Sequence, residues 1–149
     1  MSRTIRDYKI NKIQPREIET YIRDWLETSK FKILTENSNG TSFHSREWWQ
    51  TIGQKISPNK NCLVATKLSP KGLLIFEFMI TKEAESLATI VHGEFYAAGV
   101  ALFMGREWDV KPDPGLLGRW PRKEGYKLMS DFEAQLKSLN SNQTNIIGH

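Results

Sequence analysis

Residues Ser86–Val110, SLATIVHGEFYAAGVALFMGREWDV, form the longest mostly apolar passage of the chain, and their conformation determines its architecture. If they form strands, the two-residue period places Ile90, His92, Glu94 and Tyr96 on one face of a sheet. Buried ionisable groups are costly unless they are paired. Under this interpretation the passage would carry a polar site, with His92 and Glu94 as its first candidates.

The same passage also fits an amphipathic helix capped by Thr81, with apolar residues at intervals of three and four positions. His92 and Glu94 would then flank the apolar stripe close to solvent. Such a helix would contain Gly93 and Gly99, each costing about 1 kcal/mol relative to alanine. Valine and isoleucine clusters with glycine at bends are more typical of bulged strands, so we favour a strand pair.

Length and composition indicate one globular domain. A chain of 149 residues normally has a single hydrophobic core. Hydrophobic residues make up 39% and charged residues 26%, which excludes wholesale disorder. The net charge of +4 permits association with anions but falls short of a dense basic stripe. Cys62 is the single cysteine, so an internal disulfide and a multi-cysteine zinc site are both excluded.

Targeting signals and familiar catalytic motifs are absent from the sequence. The first ten residues, MSRTIRDYKI, lack the apolar core of a signal peptide, and no uninterrupted apolar run reaches the length of a membrane span. We therefore expect a cytoplasmic protein without a membrane span. The motifs of phosphate-binding loops, Rossmann dinucleotide sites, zinc proteases and α/β-hydrolases are not found. The sequence predicts neither a cofactor nor a metal site.

Hydrophobic periodicity and turn signals predict the elements on either side of the central passage. Pro15 begins an amphipathic helix that ends near Ser29. A closing amphipathic helix is predicted from Glu124 to Asn140. Strands are predicted at Thr4–Ile10, Phe31–Glu36, Asn61–Leu68 and Gly72–Ile80, with a further strand or short helix after Thr41. The turn at Ser69–Gly72 makes the last two strands a hairpin.

Three further expectations concern segments that do not fit regular periodicity. Lys111–Lys123 contains three prolines and two glycines and is predicted to be an irregular loop. Residues 141–149 are polar, so we expect a flexible tail after a single domain spanning residues 1–140. Glu77 is the one charge within LLIFEFMI, and we expect it to face solvent or lie on a sheet edge. The alternative is a carboxylate that faces a cavity.

The order of strand, helix, antiparallel strands and C-terminal helix resembles the helix-grip fold of the START and Bet v 1-like superfamily. The likeness is carried by YKINKIQPREIETYIRDWL, FKILTENSNGTSFHS and KLMSDFEAQLKSL. It implies an α+β domain in which a curved antiparallel sheet packs on a long C-terminal helix, with one further N-terminal helix. The family usually has two short helices after its first strand, where this chain has one, and its loop before the last helix is shorter.

The resemblance also implies a cavity between sheet and C-terminal helix that takes a small apolar or amphipathic ligand. Candidate binding residues are aromatic or ionisable: His92, Glu94, Tyr96, Trp49, Trp108, Arg119, Trp120 and Arg122. One alternative is an enzyme with His92 and Glu94 as an acid–base pair, although the sequence identifies no catalytic set. The other is a nucleic-acid or protein interaction module that uses exposed tryptophan and arginine side chains. The sequence leaves a homo-oligomer open.

Overall fold

The computed structural model of this chain describes residues 3–34, 62–69, 72–83, 87–99, 107–113, 119–139 and 144–148. In chain order, the elements are β1 (Thr4–Ile10), α1 (Pro15–Thr28), β2 (Lys32–Leu34), β3 (Cys62–Ser69), β4 (Gly72–Lys82), β5 (Thr89–Gly99), β6 (Glu107–Asp109), α2 (Arg119–Leu139) and β7 (Thr144–Gly148). The fold class is α+β, as predicted. The element predicted after Thr41 and the candidate residue Trp49 lie outside the described residues.

The strands form one antiparallel sheet in the order β2-β3-β4-β5-β1-β7, with β6 paired to the end of β5. The predicted hairpin is confirmed as β3 and β4, which pair from Ser69–Gly72 to Cys62–Met79. β4 and β5 form a second antiparallel pair, with Lys82 opposite Thr89. The two long central strands therefore have a paired neighbour along both edges.

The described part of the central passage forms strands, which confirms the interpretation that we favoured. Gly93 is suited to this conformation for a steric reason. A Cβ atom at Gly93 would lie 2.8 Å from Cζ of Phe95, so the missing side chain lets the Phe95 ring lie across the strand. The glycine that made the helix improbable is thus a packing requirement of the sheet.

One edge of β5 is shared by two short strands that meet end to end. β1 pairs with β5 as far as Thr4, opposite Phe95, and β6 continues the ladder with Asp109 opposite Tyr96. The Thr4 hydroxyl joins the two strands, because it donates to the carbonyl of Val110 and accepts from its N–H, both at 3.1 Å. This junction fixes the start of β1 against the middle of the sheet.

Both helices pack on the same face of the sheet. The stripe predicted for α1 is confirmed, since its buried residues are Ile18, Ile22, Trp25 and Leu26. α2 contributes Met129, Phe132 and Leu136 to the same core. The Trp25 ring stacks parallel to Phe76 of β4, with centroids 6.2 Å apart, and Phe132 contacts Trp25 edge-on at 5.1 Å. Neither of these helices is long and apolar enough to cross a membrane.

Two side-chain hydrogen bonds join α2 to α1 and to β1. Nε1 of Trp25 donates to Oδ2 of Asp131 at 3.1 Å, which joins the two helices. The Tyr8 hydroxyl donates to Oε1 of Glu133 at 2.8 Å, which joins α2 to β1. Burial and the neighbouring Glu133 charge raise the pKa of Tyr8 well above its usual range. The phenol therefore stays protonated and remains a hydrogen-bond donor.

The C-terminal helix begins at Arg119 rather than at Glu124, so the prediction of an irregular loop as far as Lys123 is wrong. Pro121 lies in the first turn, where the N–H that proline lacks has no helical acceptor. Arg122 holds this turn in place. Its Nη2 lies 2.6 Å from Oδ1 of Asp109, and its carbonyl accepts from the N–H of Lys111 at 3.1 Å.

The C-terminal segment also differs from the flexible tail that we predicted. Thr144–Gly148 forms β7, which pairs antiparallel with β1 from Ile10–Thr144 to Arg6–Gly148. The physical reason lies in β1, whose second edge offers unpaired backbone N–H and C=O groups once the first edge is bound to β5. A polar composition does not prevent a chain from using that edge.

Gly125→Ala should destabilise the fold through the close approach of α2 to the sheet. The new Cβ would lie 2.5 Å from Cγ1 of Val110 and 2.9 Å from Cδ2 of Leu74. Overpacking costs about 1–3 kcal/mol, and two contacts under 3.0 Å place this substitution in the upper part of that range, at about 2–3 kcal/mol. The gain in helix propensity offsets about 1 kcal/mol. We expect urea denaturation to show a net loss of roughly 1–2 kcal/mol in the free energy of unfolding.

Ser130→Ala is the matched control, because Ser130 is an exposed residue of the same helix. Its free energy of unfolding should stay within about 0.5 kcal/mol of the wild type. A Gly125→Ala variant as stable as this control would contradict the packing that we describe.

Candidate polar site on the sheet face opposite the helices

The two faces of β5 have different surroundings. Val91, Phe95 and Ala97 point into the core beneath α1 and α2. His92, Glu94 and Tyr96 alternate with them and therefore lie on the opposite side, which we call the far face. The predicted grouping of these three side chains on one face is what the strand conformation produces.

Glu77 of β4 joins this group, because it is the cross-strand partner of Glu94. Its side chain is 4% exposed, so the expectation of a solvent-facing or edge position is wrong. Like charges placed directly opposite each other destabilise a sheet. The guanidinium of Arg3 compensates both carboxylates: Nη1 lies 2.8 Å from Oε2 of Glu77 and 3.0 Å from Oε1 of Glu94.

Tyr96 closes the buried end of the arrangement. Its hydroxyl donates to Oε1 of Glu77 at 2.5 Å. The Arg3 guanidinium carbon lies 3.9 Å from the centroid of the Tyr96 ring, in cation–π geometry. Glu77 is thus held by a phenol on one oxygen and a guanidinium on the other, which is how a carboxylate in a nearly dry position can be satisfied.

His92 lies at the other end, between two carboxylates. Its Nδ1 is 2.6 Å from Oδ1 of Asp7, its cross-strand partner on β1, and its Nε2 is 2.9 Å from Oε2 of Glu94. Burial alone would lower the pKa of His92. The hydrogen bonds to Asp7 and Glu94, together with their charges, outweigh burial and raise the pKa above its ordinary value.

Exposure increases steadily along this network. The side chain of Glu77 is 4% exposed, that of Glu94 is 25% exposed and that of His92 is 35% exposed. The neighbours of His92 on the far face include the half-buried apolar residues Ile5, Met79 and Ile90. We call this network the far-face site: Arg3, Asp7, Glu77, His92, Glu94 and Tyr96. It extends from the interior to the solvent boundary.

Two of the other predicted site residues, Trp108 and Arg122, lie away from this group. Trp108 is half-buried in β6, and its register opposite Ala97 puts it on the helix side of the sheet. Arg122 donates two hydrogen bonds to Asp109. Its Nη2 donates to the side-chain Oδ1 at 2.6 Å, and its Nε donates to the backbone carbonyl at 2.9 Å. Arg119 and Trp120 occupy the first turn of α2, and their side chains are not among those described.

Three members of the far-face site were missed by the sequence analysis. Arg3, which precedes β1, and Asp7 within it fall on the same side by simple alternation, but the pairing of β1 with β5 is not encoded locally. Glu77 did carry a signal, as the lone charge in an apolar strand. In a strand paired on both edges, such a charge indicates a buried polar partner.

The described residues contain no group of three histidine, cysteine, aspartate or glutamate side chains that could hold a metal ion. Asp7 and Glu94 bind opposite nitrogens of the His92 ring, so their oxygens do not converge on one point. The contacts among the residues of the far-face site are hydrogen bonds, ion pairs and a cation–π contact.

Comparisons with protein-family models, with curated proteins and with solved structures find no match to this chain.

Arg3→Met should leave two carboxylates facing each other at the centre of the sheet. Removing one partner of a buried ion pair costs about 3–5 kcal/mol, and the partial exposure of Glu94 reduces this. We expect urea denaturation to show a loss of roughly 2–4 kcal/mol in the free energy of unfolding.

Arg23→Met is the matched control, since Arg23 pairs with Glu19 on the surface of α1 with 41% of its side chain exposed. An exposed pair of this kind contributes about 0.5 kcal/mol or less. Adding Glu77→Gln and Glu94→Gln to Arg3→Met should restore most of the lost stability. Without that recovery, charge compensation would not be the role of Arg3.

His92 should make the stability of the protein depend on pH. Because its folded-state pKa is raised above 6.5, protonated His92 stabilises the fold fully below about pH 6.5, and this contribution is lost as pH rises through the folded pKa. The difference in free energy of unfolding between wild type and His92→Gln should therefore shrink across that window. Urea denaturation at a series of pH values measures it, and a constant difference would contradict the arrangement.

Proposed function

We propose that this protein is a small-molecule-binding domain and that the far-face site takes an amphipathic ligand with a cationic head. The observation that carries the proposal is the graded polar network, which begins at the buried pair of Tyr96 and Glu77 and reaches solvent at His92. Ligand sites are mostly apolar surfaces with a few convergent polar groups, and the far face offers both.

The charge of the far-face site argues for a cation. Among the described residues of the site, Asp7, Glu77 and Glu94 supply three carboxylates, whereas Arg3 supplies one permanent positive charge and His92 a titrating one. An ammonium or guanidinium group would complement the excess of negative charge. The charged head would also gain hydrogen bonds to carboxylate oxygens, which are stronger than bonds between neutral groups.

The apolar part of the ligand has a surface beside the polar one. Ile5 is the cross-strand partner of Glu94, and Met79 is that of His92. Both side chains are half-buried, as is Ile90. A short hydrocarbon chain covering these three residues would remove further apolar area from water, at about 25 cal/mol for each Å².

This proposal keeps the ligand class expected from the sequence and changes its position. Between the sheet and α2, Phe78, Phe95 and Phe132 are fully buried, with ring centroids 5.1 to 6.5 Å apart. In the part of the chain that the structure describes, aromatic rings thus occupy space in which the helix-grip resemblance implies a cavity. A relationship to the START and Bet v 1-like superfamily remains part of the proposal, supported by an antiparallel sheet packed on a C-terminal helix. Fold alone does not specify the ligand.

Acid–base catalysis is a second candidate, favoured by the position of His92. Asp7 contacts one ring nitrogen and Glu94 the other, so the ring is oriented and its proton affinity is increased. A substrate would have to displace Glu94 from Nε2 to exchange a proton with it. Turnover of a bound ligand, lost in His92→Gln while binding persists, would distinguish an enzyme from a carrier.

Hexylamine, hexanol and hexanoic acid form a matched set of probes that share one hydrocarbon chain and differ in the head group. We expect hexylamine to raise the melting temperature of the protein, hexanol to raise it less and hexanoic acid not to raise it. At a ligand concentration of about ten times Kd, the stabilisation would be about 1.4 kcal/mol, or a shift in melting temperature of roughly 3–6 °C.

Glu94→Gln, with Asp131→Asn on α2 as its control, tests the position of the site. The shift with hexylamine should fall in the first variant and persist in the second. Equal shifts with all three probes would favour an apolar cavity, and a shift with an oligonucleotide alone would favour an interaction module. Either result would overturn the proposal.

A further inference from the structure

His92 makes contacts that only its protonated form can complete. Both ring nitrogens lie within hydrogen-bond distance of carboxylate oxygens, which only accept. Imidazolium donates from both nitrogens, whereas neutral imidazole carries a single N–H. Loss of the proton therefore turns one of the two contacts into a pair of facing acceptors.

The geometry indicates which contact is lost. The distance from Nδ1 to Asp7 is 2.6 Å, shorter than the 2.9 Å from Nε2 to Glu94, so a neutral ring keeps its hydrogen toward Asp7. Glu94 cannot simply turn away, because its other oxygen lies 3.0 Å from the guanidinium of Arg3. Nε2 and Oε2 of Glu94 would then remain close together without a hydrogen between them.

Such a pair of acceptors is a binding site for a donor with a positive charge. We infer that the cationic head of the ligand replaces the proton of His92, donating one hydrogen bond to Nε2 of the neutral ring and one to Oε2 of Glu94. This inference rests on the proposed function and names how the same site is regulated. One proton leaves His92 for solvent as one ammonium group binds, so the charge of the site is unchanged.

The charged groups around His92 support this exchange. β1 contributes Asp7 and Lys9 on the far face, and the Lys9 ammonium lies 3.3 Å from Glu83, which compensates it. Arg3, which precedes β1, lies between Glu77 and Glu94.

β4 and β5 contribute two carboxylates to the far face. β4 places the neutral Met79 opposite His92, with Glu77 two residues away, and β5 itself contributes Glu94. With His92 neutral, the described residues of the far-face site carry two net negative charges, and with His92 protonated they carry one. Binding of a cation beside neutral His92 reduces the net charge from two negative charges to one, as protonation of His92 does.

The inference predicts that affinity for a cationic probe rises with pH. Below the midpoint of the His92 titration, the protein must release a proton to bind, and affinity should increase by up to about tenfold per pH unit. Above the midpoint, affinity should become constant. Because hydrogen bonds to Asp7 and Glu94 raise the pKa of His92 against the effect of burial, the pH at which affinity levels off should lie above 6.5.

The experiment measures the Kd of hexylamine by isothermal titration calorimetry over a series of pH values. The amine stays protonated throughout, as a lysine side chain does with a pKa of about 10.4. We expect the rise and plateau in the wild type, and a flat profile in His92→Gln, whose side chain does not titrate. The control carries His44→Gln and His149→Gln, the other two histidines, and should behave as the wild type.

A second measurement does not depend on the variants. The NMR shift of the His92 ring proton, followed against pH with and without hexylamine, should show a lower titration midpoint in the presence of the amine. Binding with an unchanged midpoint, or with the same Kd at every pH, would overturn this inference and leave the proposed function intact. Absence of hexylamine binding at all pH values would overturn both.

Discussion

Two glutamates face each other across the centre of the sheet, and the guanidinium of Arg3 compensates both of their charges. Glu77 and Glu94 are cross-strand partners, and Arg3 lies within 3.0 Å of both carboxylates. A shift of one residue in the pairing of β4 with β5 would separate the carboxylates. It would also turn Phe95 and its neighbours away from the core beneath the helices. The apolar core therefore sets the register, and Arg3 compensates the charges that this register brings together.

The position of Arg3 depends in turn on where β1 begins. The Thr4 hydroxyl bonds to both backbone groups of Val110, which places the first residue of β1 beside the end of β6. From that point alternation along β1 brings Asp7 to the far face, opposite His92. β1 thus supplies the carboxylate at the exposed end of the network, and the residue just before it supplies the cation at the buried end. The far-face site is assembled by strand pairing rather than by a contiguous motif.

This mode of assembly explains which features could be predicted from the sequence. The α1 stripe and the β3–β4 hairpin depend on local periodicity and turn chemistry, and both were predicted correctly. β5 was predicted because glycine and β-branched residues disfavour a helix there. Arg3 was missed because it lies 74 residues from Glu77 and 91 residues from Glu94 along the chain.

The errors also have physical causes. Glu77 was predicted to face solvent because alternation alone cannot reveal a partner from another strand. The start of α2 was placed too late because the rule that proline interrupts helices does not apply to a first turn, where Pro121 lies. The tail was expected to be flexible because its composition is polar, whereas pairing with β1 depends on backbone groups that every residue has. Each error arises where a long-range contact or a special position overrides a local preference.

The contrast between the two sheet faces bears on what the far-face site is for. On the helix side, aromatic rings and apolar side chains supply the packing that holds the domain together. Replacing a buried ion network by apolar residues of similar volume is often neutral or stabilising, so stability alone does not require charges at the centre of β4 and β5. A network kept only for compensation would also have no reason to extend to His92, whose side chain is 35% exposed. A far-face site that binds a polar or charged partner would explain two observations. Glu77 is buried beside Arg3 despite the cost, and the network continues from there to solvent. Both observations support the proposal.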